Sequence, residues 1–153
     1  MSSPVMYSTE FPSLAASDTV ADATRQMLDH RVNDLPVVDG EGRFLGMFKL
    51  NHLLETLLPR AAVLDYGMPD LAFVGDTLEQ VKERMRAIAA SPVRDFVVKP
   101  EHVVHPQTSP LEMVLLLYRG ANTVPVVSAD GRTLVGMVSA RDALRTLHDA
   151  GVA

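Results

Sequence analysis

The chain contains roughly the same segment twice, and this duplication limits its fold more than any other property. Leu35-Pro36-Val37-Val38 returns as Val124-Pro125-Val126-Val127, Gly42-Arg43 as Gly131-Arg132, and Gly46-Met47 as Gly136-Met137. Leu53-Leu54-Glu55-Thr56-Leu57 is matched by Ala143-Leu144-Arg145-Thr146-Leu147. The copies lie about 90 residues apart, too far for a solenoid repeat and suited to two small subdomains. Two similar units usually pack about a pseudo-twofold axis, and the cleft between them is where ligands bind.

Each copy reads as helix, strand, strand, helix. In the first, Asp18-Thr19 precedes a periodic run that places Val20, Ala23, Thr24, Met27 and Leu28 on one face. Strand Leu35 to Val38 follows, then a hairpin at Asp39-Gly40-Glu41-Gly42 and a return strand from Arg43 to Lys49. Leu53, Leu54, Leu57 and Leu58 form the apolar face of a helix ending at Pro59. In the second copy, Thr108-Ser109-Pro110 starts a helix, with proline at the position where its missing N–H costs nothing. Val124 to Val127, a turn at Ser128-Ala129-Asp130-Gly131, a strand from Thr133 to Val138 and a helix from about Ala140 complete it. Short apolar pieces near Leu14 and at Val103-Val104 read as one additional strand per copy. Between the copies, Thr77-Leu78-Glu79-Gln80 looks like a capping box. Leu78, Val81, Met85 and Ile88 then line a helix that ends before Ser91-Pro92, a rigid connection that holds the copies in fixed relation. The organisation expected is subdomain 1 over 1–60, a connecting helical segment over 61–92 and subdomain 2 over 93–153.

The ordered set is an apolar-Pro-Val-Val strand, a Gly-rich hairpin, and Gly-apolar-apolar-Ser/Thr-x-x-Asp opening a helix. Gly136-Met137-Val138-Ser139-Ala140-Arg141-Asp142 carries the last motif completely, and Val93-Arg94-Asp95-Phe96 looks like a lead-in to a repeat. With these marks the chain resembles a tandem CBS (cystathionine-β-synthase-type) domain protein, or Bateman module, over nearly its whole length apart from roughly residues 61–92. The resemblance implies an α+β fold: two β-α-β-β-α units about a pseudo-twofold axis, with their sheets facing each other. It also implies binding of an adenosine-containing ligand (AMP, ADP, ATP or S-adenosylmethionine) to regulate something else.

Composition is compatible with this. At 153 residues the chain can bury a real core, and 47% apolar with 22% charged residues is ordinary for a globular protein. A net charge of -5 argues against a nucleic-acid partner, which needs a basic face. The absence of cysteine excludes disulfides and thiolate chemistry and makes a reducing cytoplasm the natural setting. Met1-Ser2-Ser3-Pro4 has neither a basic start nor an apolar run, so no signal peptide is expected. Met113 to Tyr118, the longest apolar stretch, falls far short of the roughly 20 residues that span a bilayer.

The candidate site centres on the second copy. Ser139 ends a strand and begins a helix, where free N–H groups and the positive dipole end attract phosphate. Asp142 offers an acceptor for a ribose diol, and Arg141, near the same helix start, offers charge to a phosphate. Extended backbone at Asn122-Thr123-Val124, directed by Pro125, offers an adenine edge its partners, and Val103 and Val104 offer apolar contact to the ring. Ser-x-x-Asp is equally a helix cap, and Thr19/Asp22, Thr77/Gln80 and Ser109/Glu112 are cap-like starts elsewhere in this chain. The first copy departs from the motif: Lys49 replaces Ser/Thr and His52 replaces Asp. That half-site loses its diol acceptor and reads as the weaker one. Its surviving cation, Lys49, would favour a ligand with more phosphate charge.

Other chemistry finds little support. His102 and His105 lack a completing ligand set, so no metal is expected. Asp39-Gly40-Glu41-Gly42 is better explained as a turn than as a calcium loop. No phosphate-binding loop, nucleophile elbow or zinc-protease motif occurs, so no catalytic residue is assigned. No cofactor is required, and the adenine nucleotide, with or without magnesium, is a regulatory ligand. The Pro110–Tyr118 segment is apolar nearly all round, which suits burial between the subdomains, a face covered by a second copy, or both. The expected protein is therefore a homodimeric ligand-sensing module acting on an unknown effector. A ligand-free dimerisation module is the alternative, and a nucleotide hydrolase a third reading without a base or metal to support it.

Overall fold

The computed structural model describes residues 5–58, 78–120 and 123–151. In the first half, strand β1 (Leu14–Ala15) precedes helix α1 (Val20–His30), strands β2 (Asp34–Val38) and β3 (Phe44–Lys49), and helix α2 (Leu50–Thr56). Helix α3 (Leu78–Ala89) and a single 3-10 turn at Val93–Phe96 lead to the second half. There helix α4 (Pro110–Tyr118), strands β4 (Thr123–Val127) and β5 (Leu134–Ser139), and helix α5 (Ala140–Asp149) repeat the order. The fold is α+β with two matching units, as the duplication implies.

Each unit is built on one antiparallel hairpin. β2 pairs with β3 from Asp34↔Lys49 to Val38↔Phe44, and β4 pairs with β5 from Thr123↔Ser139 to Val127↔Leu134. Both ladders carry an irregularity at the same place, between Val37 and Val38 and between Val126 and Val127. The turns are closed by carboxylates. Asp39 accepts from the Glu41 and Arg43 N–H groups, and Asp130 accepts from the Arg132 N–H and the Ser128 hydroxyl. Those donors hold both carboxyls below their ordinary pKa. The short leading strand is real in the first half, where Leu14 and Ala15 run parallel to Val37 and Val38. In the second it shrinks to one parallel bridge, Val104 with Val126, and Val103 does not take part.

The halves exchange their leading segments. The Ser8 and Met137 backbones donate to one another at 2.8 and 2.9 Å, and Met47 and Val98 do so at 2.9 Å each way. Each segment thus crosses the other half's hairpin before joining its own. Room for the crossing is made by two glycines at equivalent positions. A Cβ on Gly46 would lie 2.4 Å from a Val97 methyl and 2.8 Å from the Val98 carbonyl oxygen, and one on Gly136 would lie 2.6 Å from the Ser8 carbonyl oxygen. The hairpin tips also meet, with the Phe44 N–H donating to the Arg132 carbonyl at 2.7 Å. These reciprocal contacts relate the halves about a pseudo-twofold axis.

The cores follow the exchange. Leu14, Val20, Ala23, Met27, Leu35, Val37, Phe48 and Leu53 make the first, joined by Val93 from beyond α3. Met113, Val124, Val126, Val138, Ala143 and Val104 make the second, joined by Met6 from the chain's start. Val93-Arg94-Asp95-Phe96, read from sequence as the lead-in to the second copy, therefore packs on the first: the Val93 and Arg94 N–H groups donate to the Asp18 and Ala16 carbonyls.

Several faces are more open than their periodicity suggests. Leu28 is 73% exposed because α1 buries only Val20, Ala23 and Met27. α2 ends at Thr56 and buries Leu53 alone, leaving Leu54 and Leu58 exposed. On α3, Leu78 is exposed while Met85 and Ile88 pack against the first core. Thr77, Pro59 and most of the 61–92 segment before α3 lie outside the described residues. α4 is not enclosed between the halves: Met113 is its buried residue, and Leu111 and Tyr118 are 80% and 85% exposed.

Candidate functional site

β2 and β4 begin side by side at the centre of the molecule, where the Thr123 Oγ1 donates to Asp34 Oδ2 at 3.2 Å. That contact places the start of each hairpin against the other half. Beside it opens a cavity of about 520 Å3. The first half lines it with Asn33, Asp34, Lys49, Leu50 and Asn51, the junctions at either end of the β2–β3 hairpin. The second half supplies Pro100, Glu101 and His102 from its leading loop, Arg119 from the end of α4, and Thr123, Val124 and Pro125 from β4. The cleft is thus a composite of one copy's helix start and the other copy's leading loop and strand.

Its charges are mixed. Lys49 and Arg119 are cations, Asp34 and Glu101 are acids, and His102 stands among them. Lys49 begins α2 but its side chain caps nothing, so the ammonium is not spent on the helix. Asp34 is half-buried, and the resulting loss of hydration raises its pKa, while the Lys49 charge and the Thr123 hydroxyl pull the other way.

The sequence reading grouped the candidate residues differently. Thr123, Val124 and Pro125 do face a cleft, but across it stand Lys49 and α2, not Ser139 and α5. Asn122 lies outside the described residues. Ser139 is the cross-strand partner of Thr123, yet neither it nor Asp142 lines this cavity. Together they form a complete capping box. The Ser139 Oγ and N–H donate to Asp142 Oδ2 at 2.9 and 3.1 Å, the Asp142 N–H donates back to Ser139 Oγ at 3.1 Å, and Arg145 reaches Oδ1 at 3.3 Å. Arg141 is exposed on the same helical turn. Val104 is buried in the second core and cannot present itself to a ring. Val103 lines a separate groove of about 610 Å3 with Phe44, Leu45, Lys99 and His105. The His105 Nδ1 lies 3.0 Å from the Val127 carbonyl and 3.1 Å from that of Ser128, which fixes the ring. His52, at the position matching Asp142, turns to Glu55 at 3.7 Å and does not line the cleft.

Asp34, Glu101 and Arg119 line the cleft and were not among the residues the sequence singled out. Asp34 had a signal: it precedes Leu35-Pro36-Val37 as Thr123 precedes Val124-Pro125-Val126, so the alignment that singled out Thr123 applies to it equally.

The sequence profile of the CBS domain matches residues 3–59 and again 93–149. The chain belongs to the CBS domain family. Solved CBS proteins share its fold from end to end. A CBS domain pair/ACT domain protein from Thermotoga maritima is 25% identical, with 98% of each chain covered and a TM-score of 0.63. A CBS domain-containing protein from Kribbella flavida is 23% identical, with 97% of this chain and 99% of that one covered and a TM-score of 0.68. CBSX2, solved in complex with AMP, is 20% identical, with 92% and 90% covered and a TM-score of 0.63. No curated protein matches the chain. Among the described residues of this CBS pair, no helix is long and apolar enough to cross a membrane, and no three His, Asp or Glu side chains are grouped to hold a metal ion.

Proposed function

We propose that this CBS pair is a regulatory module that binds an adenosine-containing nucleotide between its halves and passes the signal to an effector protein. The observation that carries the reading is the composite cleft: its volume of about 520 Å3 suits a nucleotide, and it sets two cations beside the extended backbone of β4. The AMP held by CBSX2, a protein of the same fold, supports the choice of ligand. Ser139, the cross-strand partner of Thr123, makes the second half-site with Arg141 and Asp142. Ligand favours one relative orientation of the halves, and the effector reads that orientation.

The test is thermal unfolding against AMP, ADP, ATP and S-adenosylmethionine, with and without magnesium. A ligand present at 100 times its dissociation constant adds about 2.7 kcal/mol of stability. Asp142→Ala separates cap from contact. Loss of the cap lowers the unliganded stability by about 1 kcal/mol in either case. The affinity falls by a further 1.5–3 kcal/mol, roughly, only where the carboxylate meets the ligand. An undiminished ligand increment in this variant would remove Asp142 from the site. No increment with any of these compounds would leave a ligand-free dimerisation module.

Dimer formation is part of the proposal, because α4 and α5 present Leu111, Val114, Leu115, Tyr118, Leu144 and Leu147 to the outside. Sedimentation equilibrium should find a dimer, and Leu111→Glu combined with Leu144→Glu should yield folded monomers. A wild-type monomer at the highest soluble concentration would refute this pairing.

A further inference from the structure

The Lys49 cleft lacks a carboxylate at the position matching Asp142, because His52 stands there and faces Glu55. Two other carboxylates line the cleft, Asp34 and Glu101, and they differ in what holds them. Glu101 is exposed on the leading loop and makes no hydrogen bond among the described residues. Asp34 is half-buried at the root of β2, with Lys49 as its cross-strand partner, and the Thr123 hydroxyl fixes its Oδ2. No described residue donates to its Oδ1, and since no unpartnered side-chain oxygen is buried among the described residues, that oxygen is open to the cleft and free to accept from a ligand.

We propose that Asp34 is the specificity-determining residue of this cleft, its Oδ1 accepting a hydrogen bond from the ribose diol of a nucleotide whose phosphate is drawn to Lys49 or Arg119. The inference rests on the nucleotide reading above and adds to it a ligand class, ribonucleotides over deoxyribonucleotides. A carboxylate repels phosphate, so Asp34 also fixes which end of the ligand enters. The diol supplies hydroxyl donors and no negative charge, which is what a half-buried acid beside a phosphate-attracting cation accepts. A 2′- or 3′-deoxy ligand leaves that acceptor unpaired, and sites built around a hydroxyl reject analogues lacking it.

The experiment is calorimetric titration with AMP, 2′-deoxy-AMP and 3′-deoxy-AMP, using the full chain in an Asp142→Ala background so that one half-site is read. The expected result is that AMP binds about ten- to a hundredfold tighter than at least one deoxy analogue. Asp34→Ala, which removes the acceptor, should erase the difference while leaving the deoxy affinities within about threefold, which also shows that the cleft still forms, whereas Asp34→Asn, whose amide oxygen still accepts, should keep part of it. Glu101→Ala should keep the discrimination. Discrimination that survives in Asp34→Ala, or that disappears in Glu101→Ala, overturns the assignment and leaves the nucleotide reading intact. Failure of AMP to bind the Asp142→Ala chain, when wild type binds it, overturns the assignment and confines the ligand to the other half-site. Failure of all three nucleotides to bind wild type removes both.

Discussion

Alanine at Gly46 should destabilise the protein by about 3 kcal/mol or more, a large effect for one added methyl group. Two costs combine. The residue sits at φ +147°, a conformation that side chains rarely adopt, and the new Cβ would press on the Val98 carbonyl oxygen. That oxygen cannot retreat, because it accepts from the Met47 N–H in the pair that joins the halves. Gly42→Ala is the control. Its φ is +79° but nothing lies within 4 Å of the new atom, so it should cost about 1 kcal/mol. Urea unfolding measures both, and equal losses would show that the crossing exerts no steric demand.

Phe48→Ala should remove about 3–5 kcal/mol. Phe48 is the largest fully buried side chain among the described residues, in the first core with residues of α1, β2 and α2. The matching residue of the second half is Val138, so the two cores are filled by different volumes around the same backbone. Unfolding should remain one transition in this variant, monitored by far-ultraviolet circular dichroism and by ligand binding. The second half gives Val93 to the damaged core and receives Met6 in return, which ties their fates. A variant in which half the ellipticity melts early would show that the halves unfold separately.

Most of the fold was legible because it is locally encoded. Alternating apolar residues around Asp39-Gly40 and Asp130-Gly131 announce the hairpins, and the boxes at Thr19/Asp22 and Ser139/Asp142 close as their spacing implies. What the sequence did not show was determined at a distance along the chain. Nothing near Val93 reveals that it fills the first core, since that depends on α3 and the crossing. The cavity beside Asp34 was hidden for the same reason. Joining Ser139 to Thr123 assumes that each copy completes its own cleft, whereas the cavity beside Asp34 draws its walls from both. Leu28 and Leu111 fit a helical stripe, and their exposure is set by what the neighbouring elements cover, not by periodicity.

The exchanged leading segments have a consequence for motion. Spreading the halves like a book would break the Ser8–Met137 and Met47–Val98 pairs together, one on each flank. Twisting one half slightly against the other strains neither pair in the same way, since each lies close to its own hairpin's edge. These paired bonds therefore oppose hinge opening. The signal proposed for this molecule would then be a small change of angle between two halves that stay fastened, and a partner would have to grip both at once to sense it.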